Sequence, residues 1–176
     1  MGRLYYITGG AGSGKSEYAE QLAERLHAEL TGPLYYVATM HPAPRDSDAA
    51  ARIAKHQTRR AGRGYTTIEC PTDIAQLRTQ ASKNAVFLLE DLTNLYANEV
   101  YGTSGHPHEI VAPLLALTQQ AGAVIIVANE LYSDGITYAP ETTMFLRDLG
   151  GIAVALSTAA DQVTEVVYGI PVQLKA

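Results

Sequence analysis

The chain has one cysteine, Cys70, so no internal disulfide framework can hold it. No apolar run approaches the ~20 residues needed to span a bilayer. The N-terminus lacks a signal-peptide pattern, because its apolar stretch runs directly into a glycine-rich loop. There is no excess of positive charge. Thirteen basic residues against eighteen acidic ones give a net charge of −5, which argues against a general nucleic-acid binder. Internal repeats, low-complexity tracts and linkers are also missing. The expectation is a cytoplasmic protein with no membrane span and no nucleic-acid partner. At 176 residues the chain should form one domain, 1–176, with a full core.

What is present is organised around Gly9-Gly10-Ala11-Gly12-Ser13-Gly14-Lys15-Ser16. This fits G-x-x-x-x-G-K-[ST], a loop that binds the phosphates of nucleoside triphosphates. Its context agrees. Arg3 to Thr8 is rich in aromatic and β-branched residues and reads as a strand. Glu17 to Leu30 reads as a helix, with Tyr18, Leu22, Leu26 and Leu30 four residues apart on one face. Backbone N–H groups converge on phosphate only in conformations that need glycine. The helix start adds its dipole and its unbonded N–H groups. Lys15 should reach the β- and γ-phosphates, and the Ser16 hydroxyl should ligate Mg²⁺.

Leu34 to Thr39 reads as a second strand, which completes a βαβ unit with parallel strands. Met40 to Arg45 should be a loop at its carboxyl end. Asp48 to Arg60 lacks proline and glycine and reads as a helix ended by Gly62 and Gly64. Six of the thirteen basic residues (Arg45, Arg52, Lys55, Arg59, Arg60 and Arg63) lie in this region, which suggests a local anionic partner or a solvated helix face. Asp48, Arg52 and His56 share a face of the helix. His56 could be a nucleophile, a base or a solvated residue. Its basic neighbours would hold phosphates near it and favour the neutral, nucleophilic imidazole.

Tyr65 to Glu69 is a short strand, and Asp73 to Ala81 a helix with Ile74 and Leu77 inward. Ala85 to Leu89 is an apolar run that ends in Glu90-Asp91 and looks like a Walker B strand. One of these two acids should hold Mg²⁺, directly or through water, and strand phase decides which. Helices follow at Leu92 to Tyr101 and Ile110 to Ala121, the latter burying Leu114, Leu115 and Leu117. His106 and His108 between them lack further ligands at zinc-site spacing and read as loop residues. Ala123 to Ala128 suits a central strand buried on both faces and leads into Asn129-Glu130. Leu131 to Pro140 reads as a loop, and Glu141 to Ala160 as a long helix interrupted or bent at Gly150-Gly151. Val163 to Tyr168 and Val172 to Leu174 read as a closing hairpin around a Gly169-Ile170-Pro171 turn.

In order and spacing these pieces resemble the bifunctional adenosylcobinamide kinase / adenosylcobinamide-phosphate guanylyltransferase family of cobalamin biosynthesis. The resemblance rests on Thr8 to Ser16, Tyr36-Val37-Ala38-Thr39, Arg52-Ile53 with His56, and Asn129-Glu130. It extends through Phe145 to Gly151, Ala159 to Val163, and Tyr168-Gly169-Ile170-Pro171. It implies an α/β P-loop NTPase fold, with a RecA-like, mostly parallel sheet flanked by helices and a C-terminal edge hairpin. It implies that ATP or GTP phosphorylates adenosylcobinamide, and that GTP then donates GMP through a GMP-histidine intermediate on His56. Lys15 and His56 are then the catalytic candidates. The nucleotide-binding candidates are Gly9 to Ser16, Arg52, Lys55, Arg59, Glu69 and Glu90, and the Mg²⁺ candidates are Ser16, Glu90 and Asp91. It also implies a homo-oligomer, often a trimer. The sequence departs from the family pattern at Gly12, Lys55, Asp91, Leu131 to Pro140, and Ala153-Val154. Two other readings compete: a P-loop kinase for another small alcohol, and a nucleotide-binding regulator without transfer chemistry.

Overall fold

The structure is a computed structural model and describes residues 2–40, 54, 58, 60–102, 105–107 and 109–176. The strands are β1 (Arg3–Thr8), β2 (Leu34–Ala38), β3 (Tyr65–Glu69), β4 (Val86–Glu90), β5 (Ala123–Val127), β6 (Gln162–Val167) and β7 (Ile170–Lys175). The helices are α1 (Lys15–Leu30), α2 (Leu92–Tyr101), α3 (Val111–Gln120) and α4 (Pro140–Ala159). They flank one seven-stranded sheet of order β3-β2-β4-β5-β1-β6-β7. All neighbouring pairs are parallel except β6 and β7.

Strand alternation explains the layers. Leu4 and Tyr6, Phe87 and Leu89, and Val124 and Ile126 face one side and join a core with Leu95, Leu114, Leu117, Leu149 and Leu156. Tyr5 and Ile7, Val86 and Leu88, and Ile125 and Val127 face the other side. There they meet Ala19, Leu22, Ala23 and Leu26 of α1. The central strands therefore bury both faces, which is why their sequences are near-continuous apolar runs. Among the described residues, no helix is long and apolar enough to cross a membrane.

Four local expectations change. The expected helix from Asp73 to Ala81 is a 3₁₀ helix over Ile74–Gln80. Its two buried residues, Ile74 and Leu77, are three apart, which suits a three-residue turn. Leu115 is only half-buried, beside the fully buried Leu114. Helix α4 runs through Gly150 and Gly151 without interruption. A Cβ added at Gly150 would make only ordinary contact with the Tyr132 ring, and one at Gly151 would meet open space. Neither glycine has to break the helix. The closing turn is Tyr168-Gly169, with Ile170 and Pro171 already in β7. Both turn residues have positive φ, 50° and 78°, as in a type I′ hairpin. Pro171 is tolerated because β7 is the edge strand.

Of the expected helix from Asp48 to Arg60, residues Ala54, Thr58 and Arg60 are helical. The rest lies outside the described residues, as do the expected loop from His41 to Arg45 and His108.

Candidate active site

Parallel strands bring their carboxyl ends to one edge, where ligands bind in open α/β sheets. At this edge β1 delivers the phosphate loop, β2 delivers Thr39, β4 delivers Glu90 and Asp91, and β5 leads to Asn129 and Glu130. Register puts Glu69, Ala38, Glu90 and Val127 on one level across four strands.

The loop's shape depends on glycine at two places. Gly14 precedes α1 at φ 92°, and a Cβ at Gly9 would lie 2.5 Å from the Val166 carbonyl oxygen. No side chain caps α1, so its first N–H groups stay open to an anion. Lys15 folds back over the loop, and its Nζ donates to the Gly10 carbonyl at 3.0 Å. Only 8% of Lys15 is exposed. Burial lowers its pKa, and the charges of Asp91 and Glu90 oppose that shift.

The two acids at the end of β4 have separate jobs. Glu90 accepts a hydrogen bond from the Ser16 hydroxyl, and its other oxygen lies 3.4 Å from the Tyr36 hydroxyl. Burial and the Glu90 charge push the Tyr36 pKa up, so Tyr36 keeps the proton it donates. Asp91 instead caps α2, accepting from Asn94 N at 2.7 Å and from Asn129 Nδ2 at 3.2 Å. Burial raises its pKa, and the Asn94 hydrogen bond works against that. Thr39 is fully buried and fastens β2 to this point. Its hydroxyl donates to the Asp91 carbonyl at 2.8 Å and accepts from Asp91 N at 2.7 Å. Asn98 then donates to the Thr39 carbonyl at 2.7 Å.

Arg60 was visible in the sequence only as one member of the basic cluster. Its guanidinium lies 3.2 Å from the centroid of the Tyr36 ring. The residue is 6% exposed, and its Nε and Nη1 have no hydrogen-bond partner among the described residues. A buried guanidinium with free donors beside Tyr36 and Glu90 suits an anion entering from the loop. Arg63, three residues on, is already neutralised, with Nη1 3.0 Å from Glu20 and Nη2 2.6 Å from Glu24. Within the basic segment, then, Arg63 is held by carboxylates while Arg60 lies against Tyr36. Glu69 is exposed at the carboxyl end of β3, one strand beyond β2 from Glu90. Arg52, Lys55, His56 and Arg59 lie outside the described residues.

Residues 5–174 match the family described as cobinamide kinase / cobinamide phosphate guanyltransferase. The chain belongs to that family. It is 31% identical over 172 residues to the bifunctional adenosylcobalamin biosynthesis protein CobP of Pseudomonas aeruginosa, spanning 96% of this chain and 95% of that protein. It is also 31% identical over 191 residues to the bifunctional adenosylcobalamin biosynthesis protein CobU of Salmonella typhimurium, spanning 98% and 99%. In structure it is similar to the flagellar accessory protein FlaH of Methanocaldococcus jannaschii. The TM-score is 0.56 at 13% identity, covering 98% of this chain and 78% of that one. A KaiC-like protein of Pyrococcus horikoshii matches with a TM-score of 0.50 at 14% identity, covering 93% and 70%. These distant likenesses show the fold, a P-loop NTPase sheet flanked by helices.

Within the family frame, the loop, Ser16 and Glu90 come together as the sequence leads one to expect, and strand phase points Glu90 at Ser16. Tyr36 and Thr39 stand in the sequence only within the Tyr36-Val37-Ala38-Thr39 segment that carries part of the resemblance, with no chemical role attached, and Asn98 carries no motif.

Proposed function

We propose that this chain phosphorylates the hydroxyl of adenosylcobinamide with ATP or GTP and then transfers GMP from GTP to the product, giving adenosylcobinamide-GDP. The observation that carries this reading is the convergence of Lys15, Ser16 and Glu90 at the mouth of the loop, in a chain of the cobinamide kinase / guanyltransferase family.

In the first step the substrate hydroxyl oxygen attacks the γ-phosphorus. The bond from that phosphorus to the β,γ-bridging oxygen breaks, the nucleoside diphosphate leaves, and the hydroxyl proton passes to water. Lys15 and the N–H groups of the loop from Gly9 to Ser16 hold the phosphates and meet the charge that develops on them. Arg60 adds a second cation from the Tyr36 side. In the next step an imidazole nitrogen of His56 attacks the α-phosphorus of GTP and pyrophosphate leaves. The cobinamide phosphate oxygen then attacks that phosphorus and frees His56. A covalent intermediate divides one hard displacement into two easier ones. Arg52, Lys55 and Arg59 hold GTP near His56, and Glu69 belongs to the same nucleotide-binding set.

Mg²⁺ fits the site, because a hydroxyl and a carboxylate oxygen already meet there and Mg²⁺ prefers hard oxygen ligands. Ser16 and Glu90 would hold it, and it would neutralise phosphate charge. Asp91, engaged in capping α2, supports the site from behind. We further propose a single domain over 1–176, a cytoplasmic location, and a homotrimer whose neighbouring subunits complete the site. The exposed apolar residues Ile170, Val172 and Leu174 on the edge strand support self-association.

The decisive experiment incubates the protein with Mg²⁺ and α-labelled GTP and looks for acid-labile, alkali-stable label on His56. Label there is the expected result. Nucleotide binding without label would remove the guanylyl-transfer half and leave a kinase for some alcohol.

A further inference from the structure

The turn between β6 and β7 is pressed against the phosphate loop. Gly169 N donates to the Ser13 carbonyl at 2.8 Å. A Cβ added at Gly14 would lie 3.3 Å from Gly169 Cα. The residue beside that contact is Tyr168, which is 94% exposed. Among the described residues its side chain has no hydrogen bond, ion pair or ring contact.

This is an unfavourable place for a tyrosine on local grounds. Tyr168 has φ 50°, the left-handed region that bulky residues avoid. The other described non-glycine residues with positive φ, Thr31 and Asp73, are small and polar. A type I′ turn followed by glycine favours Asn or Asp at this position. A large aromatic there, fully in water, breaks two local rules with no packing gain inside the chain. Such breaks concentrate at functional sites.

Topology places the turn on one flank of the loop. Strand β1 has β5 on one side and β6 on the other. The β4–β5 side of the loop is filled by chemistry: Glu90 on Ser16, Tyr36 and Arg60 behind it, and Glu130 N on the Gly9 carbonyl at 3.0 Å. A triphosphate whose β- and γ-phosphates sit at Lys15 and Ser16 turns its reacting end to that side. That leaves the flank where the turn stands for its ribose and base.

We propose that Tyr168 is a stacking platform for the base of the nucleotide held by the phosphate loop. This rests on the nucleotide-binding reading above and adds a residue to it. Stacking uses the π-face that every base has, so Tyr168 strengthens ATP and GTP binding alike and leaves the choice between them to other groups.

The test uses Tyr168→Asn, which removes the ring but gives the turn its preferred Asn-Gly pair, and Tyr168→Phe, which keeps the ring. Calorimetry measures Mg-ATP, Mg-GTP and Mg-tripolyphosphate, the last having phosphates but no base. In Tyr168→Asn both nucleotides should bind about 5- to 140-fold more weakly, the range for one base on one aromatic ring, with tripolyphosphate unchanged. Tyr168→Phe should match the wild type. Unchanged nucleotide affinity in Tyr168→Asn overturns the proposal. So does an equal loss for tripolyphosphate, which would make Tyr168 a brace for the loop. Wild-type protein that binds none of the three probes overturns the nucleotide-binding reading as well, and so separates that failure from loss of the stacking role alone.

Discussion

The middle of the sheet and its C-terminal edge are built from similar residues and treat them in opposite ways. Leu88 in β4 and Ile125 in β5 are fully buried, each packed on the face that α1 covers. Every residue of β7 is exposed, although Ile170, Val172 and Leu174 are as apolar as those of the centre. In the centre, local preference, burial and pairing agree. At the edge they part: apolar residues face water, and a tyrosine holds a turn position suited to asparagine. The centre shows what holds the sheet together. The edge shows apolar surface that the described residues leave uncovered.

The largest expected effect tests the catalytic end of the centre. Lys15→Ala should cut kinase turnover by roughly 10²–10³, the scale for losing one preorganised charge-stabilising group. Near-wild-type turnover with adenosylcobinamide and ATP would break the assignment of the phosphate loop.

Leu88→Ala should cost about 2–5 kcal/mol in denaturant unfolding, through lost burial and a residual cavity. Leu174→Ala should stay within about 0.5 kcal/mol at low protein concentration. Equal costs would erase the contrast. A Leu174→Ala cost that grows with protein concentration would locate a contact between copies at the edge.

Asp91→Ala should cost about 1 kcal/mol in thermal or chemical unfolding, because α2 loses its side-chain cap and Asn129 loses an acceptor. Asp91→Asn should recover most of that loss, since asparagine caps as well. Failure of that rescue would mean that the charge of Asp91, not its capping, is what matters.

Titration separates Lys15 from an exposed lysine. Burial lowers its pKa in the free protein, so the cation is lost below the ordinary lysine range as pH rises. A bound triphosphate favours the cation, so binding above that lowered pKa takes up a proton. Affinity for Mg-tripolyphosphate should fall as pH climbs toward the alkaline range. Lys15→Arg, which stays charged, should flatten the fall. A wild-type profile as flat as that variant's would show that Lys15 keeps its proton unaided.

The smallest effect concerns α4. Gly151→Ala should stabilise the protein by about 0.5–1 kcal/mol, since the added methyl meets open space and alanine is the better helix former. A loss of stability there, read from the same unfolding curves, would show that the helix needs its glycine.

Much of this was legible along the chain. The strand at Arg3–Thr8, the loop that follows it and the fully apolar Ala123–Val127 each carry their signal in adjacent residues. Periodicity reads such signals well, because burial on both faces of a strand or one face of a helix leaves a local pattern. The turn at Tyr168-Gly169 lies ahead of the expected Gly169-Ile170-Pro171, because Ile170-Pro171 reads as a turn until the edge position of β7 is known. The helix at Ile74–Gln80 is legible but its 3₁₀ form is not, because three-residue and four-residue turns are hard to tell apart over so short a length.

Neighbouring residues alone specify the phosphate loop, the parallel sheet, and a pair of acids at the end of the fourth strand. These follow from local rules of backbone freedom and burial. It takes the folded chain to show which acid faces Ser16, that Arg60 stacks on Tyr36 while Arg63 pairs with Glu20 and Glu24, and that Tyr168 stands beside the loop. Each of these joins residues far apart in the chain, and no local pattern encodes the register and topology that bring them together.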